Sequence, residues 1–257
     1  MSDRLSIHEL EARKKLEEIG GVILVGSGKG GVGKSFVASG LALTLCTKHL
    51  RVGILDLDIH GASLPNYLDV LPPVMSGESG IIPKLSGKLK VMSVALFTGD
   101  NPVPVRGDKK QELIAQLFSL TDWGKLDYLV VDLPPSTGDE LLSAFKMFEG
   151  KCSIILVTTP SRNAISVVSR LRKLADSEKV PVKGIAINMA YVKKAGEKIS
   201  VFGKLDKKRI EKELGSEVIA EIPLEPRVDS KRLKTLLQSR VALSSSFIKL
   251  AESVVDK

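Results

Sequence analysis

Cysteine is nearly missing from this chain of 257 residues. Cys46 and Cys152 are the only two and neither belongs to a C-x-x-C pair, so a disulfide framework and a local zinc site are both unsupported. One falls inside a helical segment and the other opens an apolar strand, where each is expected to be a small buried hydrophobe. Histidine is as scarce: His8, His49 and His60 share no ligand spacing. No stretch approaches the roughly 18 to 20 uncharged residues of a membrane span. Residues 1–18 alternate charges around Leu5, Leu10 and Leu16 and lack the apolar core and small-residue cleavage site of a secretion signal, so a cytoplasmic protein is expected. Internal repeats and low-complexity tails are also missing.

What is present is 43% apolar, enough for one large α/β domain over residues 1–257. Apolar runs recur at Val22 to Val25, Val52 to Leu55, Leu129 to Val131, Ile154 to Val157 and Gly184 to Ile187. Their apolarity is continuous rather than alternating, which means that both faces are covered. Between them lie helical patterns at Lys109 to Leu120, Asp139 to Phe148, Asn163 to Ser177 and Asp206 to Leu214. The order implies a doubly wound, mostly parallel sheet with helices on both faces and ligands at the C-terminal strand ends. Residues 1–19 read as an N-terminal helix. Residues 69–105, rich in Pro and Gly, read as an irregular insertion with short strands near Ile81-Ile82 and Val91 to Val94. In the last segment Leu243, Phe247, Leu250, Ala251 and Val254 repeat at helical spacing, a core-packing face rather than a membrane anchor.

The most specific pattern is Gly26-Ser-Gly28-Lys29-Gly30-Gly31-Val32-Gly33-Lys34-Ser35, set between the first apolar run and a helical segment that starts at Phe36. Glycines let such a loop curl with its N–H groups inward, so that a polyphosphate sits at the positive end of a helix. A bulky residue at Gly30, Gly31 or Gly33 would push the anion away. The spacing Gly28 to Ser35 fits G-x-x-x-x-G-K-[ST], in which Lys34 reaches the outer phosphates and the Ser35 hydroxyl ligates magnesium. That role accounts for Ser35 without invoking a hydrolytic nucleophile.

Two carboxylate-bearing strand ends face the same crevice. The second run ends Asp56-Leu-Asp58-Ile-His60-Gly61-Ala-Ser63-Leu-Pro65, where Asp58 is suited to hold an attacking water and both aspartates suit strand-end capping. The third ends Asp132-Leu-Pro134-Pro135-Ser136-Thr137-Gly138-Asp139. Asp132 there is suited to hold the magnesium water shell opposite Ser35. Gly138 is placed for a backbone N–H to approach a γ-phosphate and to couple its loss to the next helix.

The loop G-K-G-G-V-G-K-S resembles the deviant Walker A loop of the family that includes MinD, ParA, the nitrogenase iron protein and the Mrp/ApbC scaffold ATPases. The likeness to the Mrp/ApbC branch extends through D-x-D-I-x-G-x-S-x-P, Pro102 to Gly107, Asp122 to Tyr128, Asn188-Met189-Ala-Tyr191 and Ile222 to Pro226. It implies a slow ATPase with ATP and Mg2+, working as a homodimer in which Lys29 reaches the nucleotide of the facing subunit. It also implies that Asp58 positions the water, that Asn188 reads the adenine and that the segment around Pro223 packs on the base; Asn188 equally suits a turn cap. Phosphate-loop contacts then run from Gly28 through Phe36, with Ser35, Asp58 and Asp132 at the metal.

The resemblance has two departures: Ser136 replaces the first glycine of D-L-P-P-G-T-G-D, which restricts that turn without removing Gly138, and the second concerns cysteine. Relatives that carry iron-sulphur clusters have a C-x-x-C after the N-M-S-Y motif, so that a dimer supplies four thiolates. Here the stretch reads Val192-Lys193-Lys194-Ala195-Gly196-Glu197, and a lysine ammonium is no soft ligand. The family role in cluster assembly then needs a partner or an unusual site to hold the cluster. The alternative is a MinD- or ParA-like positioning ATPase, recruited to a protein client, a membrane or nucleic acid. Part of the net charge of +8 lies between Lys193 and Lys212, with eight Lys/Arg against three Asp/Glu. Such a segment attracts acidic partners, yet lysines without interleaved aromatics are as well explained by a solvated face. Arg106 and His60 are weaker candidates.

Overall fold

The computed structural model describes residues 7–58, 61, 63–98, 107–135, 138–194, 196–203, 205–225 and 233–255. Helix α1 (Ile7–Glu17) leads into β1 (Ile19–Ser27), α2 (Lys34–Thr47), β2 (Val52–Asp56) and the single-turn α3 (Leu64–Leu68). Four short strands follow: β3 (Met75–Gly77), β4 (Gly80–Ile82), β5 (Lys84–Ser86) and β6 (Leu89–Ser93). Then come α4 (Ala95–Thr98), α5 (Gly107–Leu120), β7 (Leu126–Asp132), α6 (Asp139–Met147), β8 (Cys152–Thr158), α7 (Arg162–Ser177) and β9 (Val182–Ile187). The remainder is a hairpin of β10 (Val192–Lys194) and β11 (Glu197–Ile199), then α8 (Lys207–Leu214), β12 (Val218–Glu221), α9 (Leu233–Ser239) and α10 (Val241–Val254).

The main sheet has the order β12-β9-β8-β1-β7-β2-β6-β5, and every pairing in it is parallel except β5 on β6. The five apolar runs are its central strands. Alternate residues of one strand enter opposite layers: Val22 and Leu24 pack with α1, α5, α6, α7 and α8, while Ile23 and Val25 pack with α2, α9 and α10. This is why the runs are apolar throughout: a strand with helices over both faces has no solvent side to mark by alternation. Leu243, Phe247, Leu250, Ala251 and Val254 of α10 are all buried against α2.

Segment 69–105 is more regular than its composition suggests. Val91, expected in an excursion, lies in β6, which pairs in parallel with β2 from Gly53↔Lys90 to Asp56↔Ser93 and so extends the main sheet. Tertiary pairing overrides the Pro and Gly signals: Pro72, Pro73, Pro83 and Gly87 fall between strands, while Gly77 ends β3 and Gly80 begins β4. Strand β12 was hidden because it has only four residues, of which Glu221 breaks the short apolar run Val218 to Ala220.

Strand β1 lies between β7 and β8, so the chain leaves it toward one flank for β2 and β7 and reaches the other flank through β8 and β9. A crevice opens above the carboxyl end of β1 at this reversal. The phosphate loop, Asp58, Asn188 and Pro223 converge on it.

Candidate nucleotide site

The loop after β1 turns on left-handed glycines, Gly31 at φ 80° and Gly33 at φ 79°, a region that side chains with a Cβ rarely adopt. Gly33 is the residue before α2, with no side-chain cap and no acidic residue in the first turn of that helix. The first N–H groups of α2 are thus left for an anion. A Cβ on Gly30 or Gly31 would meet no protein atom within 4 Å, so these two glycines face open space, whereas one on Gly33 would strike the Asn188 amide. Gly28 has a different reason: α7 crosses it so closely that a Cβ would strike the Val167 backbone.

Lys34 and Ser35 are buried at the head of α2. The Lys34 ammonium donates to Asp132 Oδ1 at 2.6 Å, with almost no solvent on either group. Asp132 Oδ2 is buried without a hydrogen-bond partner. Burial pushes the Asp132 carboxyl above the usual carboxylate range, opposed first by the Lys34 charge and then by the Lys34 hydrogen bond, with the nearby Ser35 hydroxyl acting in the same direction. An orphaned carboxylate oxygen beside a serine hydroxyl is an all-oxygen donor set that suits a hard divalent cation such as Mg2+.

Asp56 stands next to Asp132 on the adjoining strand, in register with it. Its Oδ1 accepts from the Asp58 N–H at 3.0 Å and its Oδ2 from the Ser93 hydroxyl at 3.1 Å. Burial, followed by the Asp132 charge, holds the Asp56 carboxyl well above its ordinary range, and Lys34 only partly offsets this. A carboxyl group protonated in the fold binds more protons there than in the unfolded chain, so stability falls as pH rises out of the ordinary carboxylate range. Asp56→Asn is expected to shrink that loss, measured by urea unfolding of nucleotide-free protein at about pH 5 and about pH 8. An undiminished slope in the variant would place the proton uptake elsewhere.

Asp58 accepts the Gly61 N–H on Oδ1 at 3.0 Å, closing a local turn. It also lines a cleft of about 280 Å3 together with Lys29, Gly30, Gly31, Lys34, Ser35, Tyr67 and Pro135. Lys29 stands exposed on that cleft, with no ion pair among the described residues. Its carbonyl is held by the Ser27 hydroxyl at 3.0 Å.

A second, smaller hollow of about 100 Å3 continues from the first, sharing Gly33, Phe36, Tyr67 and Met189, and is closed by Asn188, Pro223, Leu224 and Glu225. Asn188 is buried; its backbone N–H donates to Thr158 and its side-chain amide to the Val32 carbonyl at 2.8 Å. It therefore braces the phosphate loop from the end of β9. Phe36 stacks edge-on with Tyr67 and Phe247, at 5.9 Å and 5.6 Å between centroids.

Thus Gly30, Gly31, Gly33, Lys29, Lys34, Ser35, Phe36, Asp58, Asn188 and Pro223 share one crevice, with Asp132 beneath it. Gly138 is not among the residues lining it; it precedes α6 with φ −95°, ordinary extended backbone. His60, Arg106, Ser136 and Thr137 lie outside the described residues. Sequence reading missed Tyr67 and Met189. Met189 is one of four described non-glycine residues with positive φ, at 54°, and its only sequence signal is its place directly after Asn188.

A family model described as ParA, NUBPL iron-transfer P-loop NTPase, matches residues 18–255. The chain belongs to this family. Among its relatives, an iron-sulfur cluster carrier protein of Saccharolobus solfataricus is 33% identical, covering 96% of this chain and 87% of that protein. One of Bacillus subtilis is 38% identical over 79% of this chain and 58% of the relative. A nucleotide-binding protein from Archaeoglobus fulgidus, solved in complex with ADP, superposes on this NTPase with a TM-score of 0.75 at 30% identity, covering 94% and 92% of the two chains. The cell division ATPase MinD of Pyrococcus furiosus shares the fold, with a TM-score of 0.70 at 21% identity over 91% and 98% of the chains.

The thiols of this P-loop NTPase do not suit a cluster. Cys46 is near the end of α2 and Cys152 begins β8 in register with Val22, each at the end of its element away from the phosphate loop. Burial pushes each thiol up to about 11, away from the thiolate that iron requires. The stretch after Tyr191 is instead the β10–β11 hairpin, pinned by Lys198 over the Tyr191 ring at 4.3 Å. Among the described residues no group of three His, Cys, Asp or Glu is gathered for a metal ion.

Proposed function

We propose that this protein is a magnesium-dependent ATPase whose nucleotide state changes its grip on a partner in iron-sulphur cluster handling, the cluster being cargo ligated by that partner. The observation that carries the reading is the buried Lys34–Asp132 pair with one carboxylate oxygen unpartnered, at the base of a cleft rimmed by left-handed glycines. Leaving such an oxygen dry costs about 1–3 kcal/mol unless something binds there. Ser35 and Asp132 would hold Mg2+, with Asp58 close by, and the ion would supply charge neutralisation at the phosphates.

In this reading the N–H groups at the start of α2 and the loop glycines cradle the triphosphate, and Lys34 turns from Asp132 toward the outer phosphates. Asp58, held by its bond from Gly61, orients the attacking water. Phe36, Tyr67 and Pro223 enclose the base, while Asn188 keeps the loop curled. Lys29 stands at the rim with no ion pair among the described residues, suited to reach the phosphates of a second copy and so make hydrolysis depend on a homodimer. The A. fulgidus relative solved with ADP favours an adenine nucleotide, and the carrier-protein relatives favour the cargo.

Calorimetry with a slowly hydrolysed ATP analogue tests this, with binding expected in the presence of Mg2+ and much weaker binding in its absence. Anaerobic reconstitution with iron and sulphide is expected to leave the isolated protein colourless. Absence of nucleotide uptake defeats the ATPase reading, and a stably bound cluster defeats the assignment of the cargo to a partner.

A further inference from the structure

A hollow of about 720 Å3 opens beside the start of α7, well apart in lining from the nucleotide cleft and larger than it. Its floor is apolar, made by Pro160, Ile165, Leu205 and Ile210. Phe202 stands on its wall and, like the neighbouring Val201, keeps more than 40% of its surface exposed. Exposed apolar groups gathered around a concavity mark an interaction site rather than scatter.

The rim is basic. Arg162 and Lys208 line the hollow and have no ion pair among the described residues. The nearby carboxylates are already engaged: Asp206 caps α8 through the Arg209 N–H at 3.1 Å, Glu211 accepts from Val218 N–H and faces Lys207 at 3.5 Å, and Glu213 faces Arg209 at 3.8 Å. Among the described lining residues the charges without an ion pair are Arg162, Lys208 and Asp206, a positive balance around the apolar side chains.

We infer that this hollow docks an acidic segment of a partner protein, a bulky apolar side chain entering between Phe202 and the α8 helix while flanking carboxylates meet Arg162 and Lys208. The concave floor favours a peptide over a flat bilayer, because a pocket of this volume is sized for inserted side chains. Free cations at its mouth select acidic flanks and speed encounter. The inference is independent of the nucleotide assignment, since no lining residue belongs to that cleft.

The probe is a fluorescein-labelled peptide Asp-Glu-Asp-Phe-Leu-Asp-Glu-Asp, titrated against the full chain without nucleotide and followed by anisotropy. Saturable binding is expected, weakened roughly tenfold or more in R162E/K208E and in Phe202→Ser, and weakened by added salt. A peptide with Ala for Phe and Leu is expected to bind about tenfold more weakly. Thermal unfolding of each variant separates a lost site from a lost fold. Vesicles containing phosphatidylglycerol are the competing arm and are expected not to retain the protein. Absence of saturable binding, equal binding of the Ala peptide, indifference to the substitutions in folded protein, or vesicle retention abolished by Phe202→Ser would each overturn the inference.

Discussion

Lys34→Ala is expected to weaken nucleotide binding by roughly a hundredfold or more and to take ATP hydrolysis below detection, because it deletes the buried cation proposed to reach the outer phosphates. A second, separable effect follows from the apo geometry. Lys34 is the partner of Asp132 at 2.6 Å, and the other Asp132 oxygen has none. Removing one member of a buried pair leaves an uncompensated charge, at a cost of about 3–5 kcal/mol. The carboxyl relieves part of this by taking up a proton. Lys34 is the largest influence keeping Asp132 ionised, so the variant's carboxyl titrates higher still, and its stability falls more steeply with rising pH than the parent's. Adding Asp132→Asn is expected to restore most of the stability and none of the hydrolysis. Urea unfolding and calorimetry on the three proteins check both parts. Parental stability and parental affinity in Lys34→Ala would remove the pair from the centre of the site.

Asp58→Asn is expected to leave nucleotide affinity within a fewfold of the parent while lowering single-turnover hydrolysis by about 10²–10⁴-fold, the usual contribution of a positioned carboxylate to water attack. Asparagine is the informative replacement, because its amide oxygen still accepts the Gly61 N–H that fixes the turn. Alanine loses that bond as well and mixes loop disorder with chemistry. Repeating the assay across Mg2+ concentrations separates two roles. A rate restored by excess Mg2+ assigns Asp58 to the metal; a rate that stays low at saturation assigns it to the water. Unchanged turnover would leave Asp58 with the turn alone.

Much of the site was legible because phosphate chemistry demands a local pattern. Gly31 and Gly33 need positive φ, Lys34 and Ser35 must follow at the helix head, and a strand must end in Asp132; each demand writes itself into adjacent residues. The parts that were illegible depend on chains meeting from afar. Asn188 was expected at a base or a turn, and only the approach of β9 to the loop puts its amide on the Val32 carbonyl. Tyr67 and Met189 enter the cleft by packing, with no spacing rule to announce them. Gly28 was expected as a phosphate contact, and the crossing of α7 adds a packing requirement for glycine there that no local pattern announces.

The sequence by itself determined the layered α/β class, the phosphate loop and the lack of paired thiolates after Tyr191, because runs of apolar residues, glycine conformations and ligand chemistry are local properties. Tertiary structure alone decided that Asp56, Asp132 and Lys34 are buried together, that β6 belongs to the main sheet, and that a basic hollow sits beside α7. Those outcomes rest on strand register and helix crossing, which join positions dozens of residues apart and are fixed only when the whole core closes.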